Sequence, residues 1–360
     1  MTTPAVPSTN AARPTEAPQP PAPRQRRERR PPAAGPGTVR NVLRAAALAA
    51  TVPYLALKTA WLAGSRIGIP DGSVLLDPEP FLIAANAVTV AMDACVILLV
   101  LVLTRPWGMR VPAWLLVVPV FVATGLLTPI FLGFPGQLLV RLLGFGADPA
   151  KTALREPFLD PWVFNVVYTG FMVQGLALAG LFVPYARERW GRRWQGVLGP
   201  GVARTGFRAG FRAGSRRLPS STGVAAAAAA AAGLAVAALH AYWAFGGTAG
   251  MDAEAVASFS TETAVVTAVH GICALAAGAG ALLLARGGAL RAWWPLGLAW
   301  TGAGATLTWG AWTLVATLGP ELDGGEGPSG TAQLIYAGQM ITGSLAAAVL
   351  ARFLISRREG

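Results

Sequence analysis

The sequence predicts an all-α transmembrane protein: an eight-helix bundle made of two parallel four-helix repeats, with both termini cytoplasmic. Three observations predict it. Eight apolar blocks have membrane-crossing length, basic residues gather in alternate connections, and the second half repeats the first. Composition sets the frame. Hydrophobic residues make up 54% of the chain and charged residues 13%, against about 25% charged in ordinary soluble domains. The polar shell of a soluble protein is missing. A formal net charge of +12 would point to nucleic acid in a soluble chain. Here the arginines sit in short segments between apolar blocks, where they set topology. No nucleic-acid partner is expected. The expected partners are the bilayer with its anionic headgroups and a second copy of the chain or another membrane protein.

The elements follow in chain order. Residues 1–38 hold ten prolines and the basic run Arg24–Arg30. That composition cannot bury a core, and the segment is expected to be a disordered cytoplasmic tail. Eight mostly apolar blocks follow near 41–64, 81–104, 112–133, 161–185, 223–246, 263–285, 293–317 and 331–354. Each is long enough to cross about 30 Å of hydrocarbon at ~1.5 Å per residue. The first block is too long for the apolar core of a signal peptide. The organisation expected is the tail 1–38, a first repeat 39–189, a basic cytoplasmic linker 190–222 and a second repeat 223–360.

Orientation comes from lysine and arginine, which cytoplasmic connections retain. Of 29 basic residues, 24 fall in the N-terminal tail, the even-numbered connections and the C-terminal tail. Arg66, Arg141, Lys151 and Arg155 fall in odd connections, and Lys58 lies within a span. This asymmetry predicts both ends inside a cell (plasma) membrane. In the linker, Arg204, Arg208, Arg212 and Arg216 recur every four residues beside Phe207 and Phe211. On a helix they would form a basic face for anionic lipid, although the glycines between them oppose a stable helix.

Matching stretches recur in corresponding spans. Tyr168-Thr-Gly-Phe-Met-Val-Gln-Gly175 matches Tyr336-Ala-Gly-Gln-Met-Ile-Thr-Gly343. Leu57-Lys-Thr-Ala-Trp-Leu-Ala-Gly64 matches Leu239-His-Ala-Tyr-Trp-Ala-Phe-Gly246, and Arg105–Arg110 matches Arg286–Arg291 in spacing. Units of four spans enter from the same side, so these would be parallel repeats about an axis along the membrane normal. The stretch from Leu239 to Gly247 also resembles a small, uncharacterised bacterial four-helix membrane family. Its first helix carries a His-x-x-Trp-x-x-Gly-Gly pattern, and the whole chain looks like a fused pair of such units. The first copy departs from the pattern, with Lys58 where the second has His240. The resemblance implies architecture and no chemistry.

Ionisable residues at hydrocarbon depth are the default place to look for function. Lys58, His240 and His270 share one depth in the outer half of their spans, and Asp93 lies deeper. Asn86, Thr89 and Asp93 are spaced i, i+3, i+7, which puts them on one helix face. Thr263, Thr267 and His270 are spaced the same way. Tyr168 and Tyr336 enter at similar depth. The economical arrangement is one outward-facing polar pocket between the repeats, formed by Lys58, Asn86, Asp93, Tyr168, His240, His270 and Tyr336, with Asp93 at its floor. It would bind or pass a small solute or ion, with Lys58 as counter-charge to Asp93.

Other readings use the same residues. Lys58 would snorkel to the headgroups, and the histidines would hydrogen-bond across helices. His240 and His270 would ligate one haem iron in a redox protein, or His270 would join Cys95 and Cys273 at a metal. A non-catalytic scaffold would bind its partner through the tail or the linker. Cys95 and Cys273 lie inside apolar segments and imply no disulfide framework. No phosphate-binding loop, nucleophile elbow or zinc-protease motif occurs. No catalytic residue and no cofactor are therefore expected, and an enzyme is the less favoured reading.

Overall fold

A computed structural model describes residues 36–76, 80–146, 159–200, 220–317 and 329–357. The N-terminal tail up to residue 35 and the part of the linker with Arg204, Arg208, Arg212 and Arg216 lie outside the described residues. The chain is a bundle of long helices: α1 (Pro36–Leu62), α2 (Pro80–Thr104), α3 (Ala113–Leu142), α4 (Pro161–Trp194) and α5 (Ser221–Ala244), then a short α6 (Ala253–Ser258), α7 (Thr261–Arg286), α8 (Trp293–Ala316) and α9 (Gly330–Ser356). Side-chain oxygens of Ser220, Ser260 and Ser329 cap the amide ends of α5, α7 and α9 by accepting from Gly223, Thr263 and Ala332.

Seven of these helices are long and apolar enough to cross a membrane, which makes the chain a multi-pass membrane protein. The eighth long helix, α8, has 24 residues and no charged side chain. Its tryptophans, glycines and threonines keep it below the hydropathy of the rest.

Two helices outrun their expected ends near 133 and 185. α3 continues to Leu142 and α4 to Trp194. α3 does so through Pro129 and Pro135, which neighbouring helices make tolerable by satisfying the freed backbone. At its end Arg141 pairs with Glu262 of α7. α4 extends through Arg187 and Arg189, and the latter donates to Val111 O and to Tyr185 Oη. Past α4, β1 (Val197–Pro200) pairs antiparallel with β2 (Gly287–Arg291). This ribbon was not expected. It also distinguishes the two short connections of equal spacing, because Pro106–Arg110 is a 3-10 turn while Gly287–Arg291 is a strand.

The halves share their loop chemistry. α1 ends at Gly64 (φ +88°) and α5 at Gly246 (φ +93°), a left-handed conformation that glycine adopts without a Cβ penalty. Trp61 Nε1 donates to Ile67 O at 2.8 Å, and Trp243 Nε1 donates to Ala249 O at 3.0 Å, six residues on in each case. The next residues, Gly68 (φ +72°) and Gly250 (φ +81°), present their carbonyls to the caps of the fourth long helices. Asp160 N donates to Gly68 O and Ser329 Oγ to Gly250 O. The tryptophans thus close loops. Trp61→Phe or Trp243→Phe should each cost about 0.5–1.5 kcal/mol by deleting one hydrogen bond, measured as a lower midpoint in thermal unfolding in detergent.

Packing differs between the halves. In the second half α5, α7, α8 and α9 interlock through small residues. A Cβ on Gly302 would stand 2.2 Å from Ala277 N, and one on Gly280 2.4 Å from Ala299 N. The fully buried Ala226, Ala229, Ala277, Ala281 and Ala303 lie in the same core. In the first half α1 packs well on α4, but α2 and α3 make little contact. α3 lies instead on α7 and α8 of the second half. Gly125 and Gly304 bring α3 and α8 together, since a Cβ on Gly125 would meet Gly304 O at 2.4 Å. Phe121 and Trp300 stack edge-to-face beside them at 5.2 Å.

Candidate functional site

The displaced α3 leaves a cavity of about 700 Å³ between α2 and α3, closed behind by α4 and α8. Its walls are mostly apolar, including Leu99, Val122, Leu126, Phe171, Trp309 and Trp312. The polar lining is small: Lys58, Thr89, Asp93, Tyr54, Tyr168 and Gln174. Trp309 holds its wall in place by donating to Leu126 O at 3.0 Å. Pro129 lacks the amide that would bond Gly125 O.

Asp93 lies thirteen residues into α2, roughly 20 Å along its axis. It is 5% exposed and Gln174 of α4 is 2% exposed. The two side chains are close enough to interact but fall short of hydrogen-bond geometry. Among the described residues, neither Asp93 Oδ2 nor Gln174 Nε2 has a hydrogen-bond partner, and both are buried. An acceptor and a donor therefore stand close together in an apolar cavity, and neither is held by another described group.

Lys58 does not serve Asp93. Its Nζ donates to Asn86 Oδ1 at 2.7 Å and lies over the rings of Trp61 (4.8 Å) and Tyr54 (5.4 Å), held by a hydrogen bond and two cation–π contacts. Asn86 reaches the cavity only through this lysine. Thr89 turns its hydroxyl back onto Asn86 O. Tyr168 is on the wall, against Phe134 and Phe164.

The seven residues expected in one pocket thus separate. Lys58, Asp93 and Tyr168 line the cavity, while His240 and His270 form a second cluster within the other half. His240 Nδ1–H donates to Val236 O at 2.8 Å, which leaves Nε2 to accept from Gln339 Nε2 at 3.4 Å. The two histidine rings are 6.1 Å apart, and His270 meets the edge of Trp309 at 5.4 Å. Trp309 is therefore a shared wall, with the cavity on one side and the histidines on the other. Tyr336 does not line the cavity. Its backbone carbonyl packs close to Gly310 of α8.

A haem between the two histidines would have to part α5 from α7, because a Cβ on Gly271 would already stand 3.1 Å from His240 Cβ. Cys95 lines the cavity, whereas Cys273 is buried against Val269 and Ala305. Among the described residues no three His, Cys, Asp or Glu side chains gather in a metal-binding group.

Sequence reasoning passed over Gln174 and Gln339. A signal for both was present, since each is an amide inside the matched Tyr…Gly stretches of the fourth long helices, and an amide at hydrocarbon depth needs a partner. In comparisons with protein-family models, curated proteins and solved structures, nothing matches the chain.

Proposed function

We propose that the chain binds a small, largely apolar solute in the cavity between α2 and α3, with Asp93 and Gln174 as its recognition pair. The observation that carries this reading is the unused acceptor and donor at the wall of an apolar space. A buried polar group without a partner costs about 1–3 kcal/mol. A solute that offers one donor and one acceptor, such as a hydroxyl or a primary amide on a hydrocarbon body, would satisfy both atoms. The cavity volume falls within the range of small-molecule sites, roughly 300–1,000 Å³. This composition favours an amphipathic solute over a hydrated ion. Asp93 is then the group that exchanges a hydrogen bond or a proton with the solute. Lys58 is a rim residue fixed by Asn86.

The surrounding architecture belongs to the same proposal. α8, seventh of the long helices in chain order, completes a set of eight spans. It is packed against α3, α7 and α9, so it faces protein more than lipid and tolerates a lower hydropathy. The matching Trp–carbonyl bonds, helix-end glycines and cap contacts support a tandem duplication. The basic-residue asymmetry supports cytoplasmic ends and a cavity in the outer half of the bundle.

The test is thermal unfolding of the detergent-purified protein with menthol or with p-menthane, the hydrocarbon of the same shape. Menthol should raise the melting temperature saturably and p-menthane should not, and Asp93→Leu should remove the menthol effect. Equal action of the two compounds on the natural chain, or a menthol effect that survives Asp93→Leu, would reject the reading.

A further inference from the structure

A second space, of about 960 Å³, lies at the opposite end of the bundle, where the two halves meet. It is bounded by the start of α3, the end of α4, the β1–β2 ribbon, the start of α8 and the end of α9. Its chemistry is graded along the helix axes. Its cationic groups are Arg187 of α4 and Arg291 of β2, both exposed. Trp190 and Trp293 stand near the ends of α4 and α8 that border the groove, and Phe182 and Trp300 lie farther along those helices, with Leu296 and Leu354 also in the lining. From Trp190 back to Phe182 is eight residues, or about 12 Å of depth at ~1.5 Å per residue. Among the described residues, the lining contains two arginines and no carboxylate.

Two exposed arginines and interfacial tryptophans beside an apolar trough are the side-chain types that meet headgroups and acyl chains in one membrane leaflet. This is the basic end of the bundle, which also carries Arg105, Arg110, Arg189, Arg286 and Arg357 near helix ends. Basic recesses between spans select anionic headgroups, and arginine pairs well with phosphate oxygens. We infer that this groove holds one anionic phospholipid, its phosphate between Arg187 and Arg291 and one acyl chain laid along Phe182 and Trp300. The lipid bridges the two halves, because α3 and α4 form one wall and α8 and α9 the other. The inference is independent of the solute cavity, which shares no lining residue with this groove.

Native mass spectrometry of the full chain in detergent tests it, with dioleoylphosphatidylglycerol and dioleoylphosphatidylcholine in equal amounts. One phosphatidylglycerol should be retained at least about fivefold over phosphatidylcholine, and an excess of inorganic phosphate should not displace it. Arg187→Gln with Arg291→Gln should abolish the preference. Both side chains are exposed, so the double variant should keep its elution volume and, without added phosphatidylglycerol, its melting temperature. As a second readout, phosphatidylglycerol brominated in its acyl chains should quench tryptophan fluorescence in the natural chain, and the share of that quenching due to Trp300 should be lost in Trp300→Phe while the share from Trp190 and Trp293 remains. Equal retention of the two lipids, a preference unchanged in the double variant, displacement by free phosphate, or quenching indifferent to Trp300 would each overturn the inference.

Discussion

Asp93→Leu is expected to make the protein more resistant to heat in the absence of any solute, while removing saturable solute binding. The carboxyl is 5% exposed with one oxygen unpaired. Replacing a buried polar group that lacks full compensation by an apolar one of similar size is often neutral or stabilising. Leucine would also face Val122 and Leu126 of α3 across the cavity and fill some of it. The gain should be on the order of 1–3 kcal/mol, read as a higher unfolding midpoint in detergent. Gln174→Leu made in the same background should add to it, because Gln174 Nε2 is the matching unused donor. A fall in the midpoint would mean that Asp93 is satisfied in the resting protein, which contradicts its role as a vacant acceptor.

Gly302→Leu should act in the opposite direction and more strongly. A Cβ at this position meets the backbone of Ala277 at 2.2 Å and that of Ala276 at 2.7 Å. Backbone cannot rotate aside as a side chain does. α7 and α8 would have to separate along a contact that includes the fully buried Ala277, Ala281, Ala299 and Ala303. Forcing extra carbons into a close-packed core costs about 1–3 kcal/mol when neighbours can yield. With backbone on the far side the cost should reach at least the top of that range, seen as loss of folded material on size exclusion. Gly297→Ala on the same helix is the control. Nothing lies within 4 Å of its Cβ position, and alanine favours a helix by about 1 kcal/mol over glycine.

Helix positions were legible in the sequence because apolar length reports membrane crossing directly. Helix ends were less so. The stretch from Pro135 to Arg141 reads as a connection, since proline, glycine and a charge are loop signals. It stays helical because Arg141 meets Glu262 on another helix, a long-range pairing that no local pattern contains. The ribbon was illegible for a similar reason: Val197–Pro200 and Gly287–Arg291 are short and carry no alternation. At the site, Lys58, Asp93 and Tyr168 stood out as polar groups in apolar helices, and the structure places all three at the cavity. Spacing could group Asn86, Thr89 and Asp93 on one face but could not say what they face. Asn86 turns to Lys58 and Asp93 to Gln174. Nor could periodicity reveal that α3 leaves its own half, because its apolar surface suits either neighbour.

That choice of neighbour constrains how the protein is made. The chain enters the membrane from its N-terminus, so α1 to α4 are inserted before α7 and α8 exist. α1 and α4 find each other at once. α3 cannot take its final place until α7 and α8 arrive, because Gly125 rests on Gly304 and Trp309 binds Leu126 O. The second half carries within itself the contacts it needs, while the first is completed from outside. Separated and expressed alone, residues 220–360 should retain their bundle, and the first half would be left with a third helix that has nowhere to settle.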